Sequence, residues 1–467
     1  MIFVTRAFRP GVLLLSALLA SACGDSGPTS GTGEQTDGAT TESDATDAMT
    51  DATEGGSATT AGASESTTEG ASGSTSESAT EGTTEGTTTS DDAVLCAEDA
   101  INFGELCFIP STVGLGMSPA SIDAVDLDLD GHLDIFAANL SVNPQRVLFG
   151  DGAGQFSEIE GYPIAPVGQR DVTAGDINGD GLPELIGANL IVGYVTVHPN
   201  LGARQFDAFT PVAAGVKPRR VELADLNSDG ALDLLAVSED PGPEAAEGLI
   251  IRLGDGEGGF AEQSVYAVGP GPYDLAYGDV DGDGALDVVV TNYDSESDYS
   301  DVVVRYGDGQ GDLTDQSRVF EIAEGSRRVL LADYDDDGAL DILTASYNQS
   351  AVGFLPGDGD GDFAVASDGE WIPLQLEDIT GVYDIAVRDL NDDGRSDLIS
   401  VHRESGAVAV VLRGEDSLAG PRYNYVTGLF PLTLTVGDFN SDARPDIAVA
   451  SSFSGALSLL LSDDPIG

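Results

Sequence analysis

Short apolar runs alternate with acidic, glycine-rich turns along most of the chain. Runs such as LDVVVTNY (286–293) and LDILTASY (340–347) follow the turns; alternating runs such as DLAYG (274–278) and DIAVR (384–388) precede them. Period-two alternation and β-branched residues between turn signals predict strands. One turn pattern, D-x-[DN]-x-D-[GA]-x-x-[DE], occurs seven times. Its copies are Asp126, Asp128, Asp130, Asp134; Asp176, Asn178, Asp180, Glu184; Asp225, Asn227, Asp229, Asp233; and Asp279, Asp281, Asp283, Asp287. They continue with Asp333, Asp335, Asp337, Asp341; Asp389, Asn391, Asp393, Asp397; and Asp438, Asn440, Asp442, Asp446. Successive copies start 50, 49, 54, 54, 56 and 49 residues apart, a periodicity that solvated turns do not produce by chance. The second copy departs with Glu184 and the seventh with Ala443 in place of glycine.

A second motif follows most copies: VLFGDGAGQF (147–156), IRLGDGEGGF (251–260), VRYGDGQGDL (304–313) and FLPGDGDGDF (354–363), with a degenerate VHPNLGARQF (197–206). Each unit therefore reads as four strands in about 50 residues, the size of a propeller blade.

The turn itself is rich in carboxylates that repel one another, by about 1 kcal/mol per pair at ~4 Å in water. Calcium takes six to eight oxygens and suits such a cluster. An EF-hand is excluded. Its twelfth loop position needs a bidentate Glu, and here stand Ala137, Gly187, Ala236, Val290, Thr344, Ser400 and Val449.

On both motifs the chain resembles FG-GAP (also called VCBS) repeats, the blades of the integrin α-subunit propeller and of many bacterial surface proteins. The resemblance covers roughly residues 103–463. It implies an all-β, seven-bladed β-propeller, with up to about seven structural calcium ions in the hairpins between the first two strands of the blades. The last blade, IAVASS and GALSLLLSD, is one strand short. The segment GELCFIPSTVGLG (104–116) reads like the fourth strand GQFSEIEGYPIAPVG (154–168), so an N-terminal strand is expected to complete that blade.

Three domains follow: residues 1–22, 23–92 and 93–467. GVLLLSALLASA is too short for an ordinary spanning helix. Leu19-Ala20-Ser21-Ala22-Cys23 resembles a bacterial lipobox, with Ala20 where Leu usually stands, and implies lipidation of Cys23 and anchoring to a membrane; a secretory signal cleaved after Ala22 is the alternative. Gly24 is not the Asp that commonly retains lipoproteins at an inner membrane, so the outer membrane or cell surface is expected. Residues 24–92 are dominated by Ser, Thr, Gly, Ala, Asp and Glu without Lys or Arg. That composition cannot bury a core and reads as an acidic spacer of roughly 45 Å. The other two cysteines, Cys96 and Cys107, are expected to form a disulfide in an exported protein.

Net charge is −62 with 19 Lys and Arg. Nucleic acid is thereby excluded as a general partner, since no broad basic surface can neutralise phosphates. Positions six and five before each loop's first Asp should ring one mouth of the central channel. They read Ala120-Ser121, Arg170-Asp171, Arg219-Arg220, Tyr273-Asp274, Arg327-Arg328, Tyr383-Asp384 and Leu432-Thr433. With Lys217 they hold six of the 19 basic residues. Arg and Tyr are enriched at binding hot spots, so a glycan or protein ligand, anionic or sugar-rich, is expected there. The reading favoured over it for these residues is internal pairing of Asp171, Asp274 and Asp384 with neighbouring arginines. No catalytic set is visible around His132, His198 and His402, and no separate catalytic domain remains, so the chain is expected not to be an enzyme. The leading expectation is a ligand-binding or adhesion module. A structural scaffold is second, and a polysaccharide-active enzyme third.

Overall fold

A computed structural model describes residues 101–463 except 104–105, 117, 141–144, 159–167, 240–247, 295–298, 365–371, 376–379, 415–417 and 419. The signal segment, Cys23, the acidic spacer and Cys96 lie outside the described residues. Every element among the described residues is a strand, and no helix there is long and apolar enough to cross a membrane.

Seven antiparallel sheets of four or more strands repeat one order, in which the first strand of each unit lies innermost and later strands step outward. The innermost strands are Pro119–Val125, Gln169–Gly175, Pro218–Ala224, Pro272–Gly278, Ser326–Ala332, Val382–Arg388 and Pro431–Gly437. Each neighbours the next, and the seventh returns to the first, which closes the ring. The chain is thus the seven-bladed propeller that its repeats predict.

Each blade is sandwiched between two others, which explains its second strand. Asp134–Asn139, Asp233–Ser238 and Asp341–Ser346 are buried at every position, as expected where both faces of a sheet are covered. Seven apolar clusters result, one for each interface between adjacent blades. Between blades six and seven, for example, Ile399, Val401, Val408 and Val410 pack on Leu434, Val436, Ile447 and Leu460.

Closure happens as the incomplete last unit predicts. The strand Leu106–Gly114 pairs antiparallel with Ala456–Asp463, from Cys107 opposite Asp463 to Gly114 opposite Ala456. A further strand, Ile101–Phe103, pairs outside it, which the repeat pattern does not foretell. Blade two departs as its degenerate motif suggests. Asn200 stands where blades one, three, four and five have glycine, and its Nδ2 donates to the Leu127 and Pro183 carbonyls at 2.8 and 3.0 Å.

Cys107 is disulfide-bonded, at the start of the closing strand. With Cys96 as its partner, the pairing expected from the sequence, the bridge would close a short loop and contribute about 2–3 kcal/mol, mainly by constraining the unfolded chain. Cys107→Ser is therefore expected to lower the melting temperature by a few degrees and to abolish the effect of reductant on it. A thermal scan with and without reductant checks this.

Candidate functional site

The seven acidic loops lie where each innermost strand turns into the second. The ninth-position carboxylate opens the second strand and is buried. In six loops both of its oxygens accept backbone amides: Asp134 from Leu127 at 2.8 Å and Gly150 at 2.9 Å, Asp287 from Val280 and Gly307, both at 2.8 Å. Asp233, Asp341, Asp397 and Asp446 repeat the pattern. The longer Glu184 reaches Ile177 at 3.1 Å but Asn200 only at 3.5 Å. This carboxylate thus ties the loop to the turn after the third strand.

The first-position Asp accepts the amide of the sixth residue, as Asp126 does from Gly131 at 2.9 Å. That sixth residue has φ of +91° in Gly131, a region where glycine meets no Cβ penalty. Ala443 takes the same turn at +69°, at a cost of about 1 kcal/mol.

Three carboxylate sets converge so that one ligand atom from each member lies within 4.8 Å of the others: Asp126, Asp128, Asp134; Asp279, Asp281, Asp287; and Asp333, Asp335, Asp341. These are the loops with Asp at position three. In three of the Asn loops the amide instead donates to the fifth-position carboxylate, from Asn227 to Asp229 at 2.9 Å, Asn391 to Asp393 at 3.2 Å and Asn440 to Asp442 at 3.1 Å. In the fourth, Asn178 donates to Glu184 at 2.9 Å. Asp130, Asp180, Asp283 and Asp337 occupy the fifth position of the remaining loops, where each accepts a backbone amide two residues on.

The loops fit a cation. Oδ1 of Asp279 and of Asp333 is buried without a hydrogen-bond partner, which is costly for a charged group. Burial, with neighbouring loop carboxylates adding to it, pushes Asp134 and Asp341 up to about 7 and Asp287 and Asp397 up to about 6. A divalent ion would reverse that repulsion.

Arg204 distinguishes the first loop. It stands in blade two where the other second motifs carry the third glycine of GDGxG, and its φ is +61°. Its Nε donates to Asp128 at 2.5 Å and an Nη to Asp130 at 3.2 Å. Two candidate ligands of this loop therefore already share a positive charge.

The channel mouth lies at the opposite ends of the innermost strands. In all seven blades the pairing of the first two strands slips at the same place, between Pro119 and Ser121, Gln169 and Asp171, Pro218 and Arg220, Pro272 and Asp274, Ser326 and Arg328, Val382 and Asp384, and Pro431 and Thr433. A bulge re-aims a side chain. Here the unpaired residues are Ala120, Arg170, Arg219, Tyr273, Arg327, Tyr383 and Leu432, and the residues after them sit deeper.

The deeper layer is a ladder of alternating charge. Arg220 pairs with Asp171 at 2.7 Å, with Asp274 at 3.0 Å and with Glu222. Arg328 takes both oxygens of Asp384, at 2.9 and 3.2 Å, and reaches Asp274 at 3.3 Å. Asp171, Asp274 and Asp384 also accept the amides of Val221, Val329 and Leu434 in the next blade, at 3.1, 3.0 and 3.0 Å. The predicted candidates Arg220 and Arg328 are thus engaged internally.

The outer layer holds Arg170, Arg219, Arg327, Tyr273 and Tyr383. Arg170 donates to the Tyr273 and Tyr383 hydroxyls at 2.8 and 3.0 Å. Burial pushes the Tyr383 phenol up, but Arg170, Tyr273 and Arg327 outweigh it and hold the group below its ordinary value. Arg219 lies 4.1 Å over the Tyr273 ring and pairs with Glu239. Arg327 lies 4.9 Å over Tyr293 and 4.6 Å over Tyr347. Lys217 is exposed; its backbone amide donates to Ser238 Oγ and its carbonyl accepts from Glu239.

Sequence reasoning missed Glu239, Tyr293, Tyr347 and Arg403. Each stands six residues after a ninth-position carboxylate, and each donates its amide to the carbonyl two residues before its blade's bulge residue, as Tyr293 does to Gly271 at 2.8 Å. That fixed offset is the signal that could have found them.

The FG-GAP-like repeat family matches residues 126–187, 225–290, 279–344 and 389–449, more than half of the chain, and the chain belongs to that family. Comparison with curated proteins gave no match. Among solved structures, BBS1N in complex with ARL6DN is similar at 14% identity and a TM-score of 0.49, covering 74% of this chain and 92% of that one. An Agrocybe aegerita lectin described as recognising non-reducing terminal N-acetylglucosamine is similar at 17% identity and 0.46, covering 72% and 86%. The Pseudomonas aeruginosa periplasmic gluconolactonase is similar at 14% identity and 0.46, covering 66% and 86%. The last of these corrects one expectation. Similar folds include an enzyme, so the lack of a separate catalytic domain does not exclude catalysis, and the propeller fold decides the question in neither direction.

Proposed function

We propose that this protein is an exported, lipid-anchored calcium propeller that works as a ligand-binding or adhesion module, its channel mouth facing the ligand. FG-GAP repeat proteins are typically extracellular or surface proteins. Cys23 would carry the anchor and residues 24–92 would hold the propeller off the membrane. The carboxylates at positions one, three, five and nine of each loop would hold calcium, which supplies the charge that lets them share one turn. The orphaned Asp279 and Asp333 oxygens support this.

The observation that carries the ligand-binding reading is the repeated bulge. It turns one residue of each innermost strand into the same mouth, and five of the seven are Arg or Tyr. Such residues dominate binding hot spots. Binding of the purified chain to an array of glycans and matrix proteins tests it. Signals on specific spots, lost in Arg327→Ala, support the module; an array without specific signals contradicts it. The alternative, a purely structural surface scaffold, is favoured by the Asp–Arg ladder, which ties blades two to seven together beneath the mouth. A blank array would favour it.

Arg204 gives a further expectation. Arg204 is itself well exposed, so its pairs add little stability, but its charge opposes a second cation nearby. Arg204→Gly is expected to tighten calcium binding at one site severalfold while leaving the number of bound ions unchanged. Calcium titration by calorimetry checks this.

A further inference from the structure

The outer layer of the mouth holds more positive charge than its own carboxylates balance. Arg219 has Glu239. Among the described residues, Arg170 and Arg327 have no carboxylate within ion-pair distance; Arg170 spends its bonds on two tyrosine hydroxyls. Nε of Arg219 and Nε of Arg327 are buried without a hydrogen-bond partner. An unmet buried donor costs ~1–3 kcal/mol, more for a charged group. With net charge −62, the chain has carboxylates in abundance, but those nearest the mouth, Asp171, Asp274, Asp384 and Glu222, lie in the deeper layer on Arg220 and Arg328.

The cavity at this place is lined by Arg170, Arg219, Tyr273 and Tyr383, with Asp171 beneath them held by Arg220, and has a volume of about 20 Å³. A single water needs roughly 10–15 Å³, so the enclosed space admits one oxygen of an acid group and not a sugar ring. Beside it runs an arc of rings. Tyr347 meets Tyr383 edge-on at 6.2 Å, Arg403 lies 4.9 Å over Phe430, and Phe430 meets Phe453 at 5.8 Å. Phe430 and Phe453 are 37% and 62% exposed.

We propose that the mouth takes one carboxylate borne on a sugar, the acid group against Arg170 and Arg219 and the sugar ring on the arc of Tyr347, Phe430 and Phe453. This rests on the ligand-binding reading above and names its ligand. Guanidinium presents its donors in a planar fork that matches a carboxylate, and Arg327 adds charge beside the Tyr273 and Tyr383 rings. A sugar presents a flat C–H face to aromatic rings, which an acidic peptide side chain lacks. A long polyanion is disfavoured, because the surrounding acidic surface repels it; a single acid group at the end of a chain meets only the local arginines.

The test is calorimetric titration of the full chain in calcium with short oligosaccharides ending in glucuronate or galacturonate. Matching neutral oligosaccharides, inorganic phosphate and glutamate are the comparison arms. The expected result is binding of a uronate-ended probe, with every comparison arm at least tenfold weaker. Arg219→Gln and Arg327→Gln should each weaken it at least tenfold, and Phe453→Ala, an exposed change that spares the fold, severalfold. Absence of uronate binding overturns the proposal. So does phosphate or glutamate binding as tightly as the uronate probe, or unchanged affinity in the variants. A neutral oligosaccharide that binds and is lost in Phe453→Ala would overturn the carboxylate while leaving the ligand-binding reading standing. Silence from every probe here and from the array would end both.

Discussion

Excess chelator is expected to lower the melting temperature of this protein by more than ~10 °C. A loop at a calcium concentration a hundredfold above its Kd adds about 2.7 kcal/mol, and several loops act together. The physical cause is the crowding of carboxylates in each turn. Asp126, Asp128 and Asp134 converge in one loop, and Asp333, Asp335 and Asp341 in another. In chelator the loss should also depend on pH. Asp134 and Asp341 sit near 7 when folded and near 3.8 when unfolded. Between those values the native state binds more protons, so stability falls as pH rises. The apo protein should therefore melt higher at pH 5 than at pH 7.5. With calcium present the order should reverse, because protons compete with the ion for the same oxygens. Scanning calorimetry at both pH values, with calcium and with chelator, reads both effects; a melting temperature indifferent to chelator would contradict them.

The second large effect is expected from Asp274→Ala. Asp274 is the central rung of the ladder. It takes Arg220 at 3.0 Å, Arg328 at 3.3 Å and the Val329 amide at 3.0 Å, and it is 2% exposed. Its removal leaves two buried guanidiniums short of a counter-charge and one amide unpaired. Breaking a buried pair from one side costs about 3–5 kcal/mol. Asp274→Asn keeps the amide bond and should lose less. The effect should not be symmetrical with Arg219→Gln, whose side chain belongs to the outer layer. Urea unfolding of the three variants decides this. Equal losses in Asp274→Ala and Arg219→Gln would mean that the two layers are not distinct.

The blade count, the loops and the closing strand could be read directly because they are local and repeated. A nine-residue pattern at steady spacing, and a last unit lacking its fourth strand, leave little choice of architecture. The mouth was legible in its membership but not in its layering. Arg219 and Arg220 are neighbours in sequence, yet one stacks on Tyr273 and the other pairs with Asp171, Asp274 and Glu222. The bulge decides which does which, and a register slip between two strands has no residue type of its own. Glu239, Tyr293, Tyr347 and Arg403 escaped for a related reason, since they reach the mouth from the far end of the second strand or the residue just after it. Arg204 escaped because its partners lie in the preceding blade, 74 and 76 positions away.

Whether each acidic loop holds a calcium ion is decided by the number of ions bound per chain at equilibrium, with Asp279→Ala and Asp333→Ala beside the native protein. About seven ions are expected in the native chain and one fewer in each variant, because each change empties one loop. A native chain with no bound calcium, or variants with the native count, would contradict it.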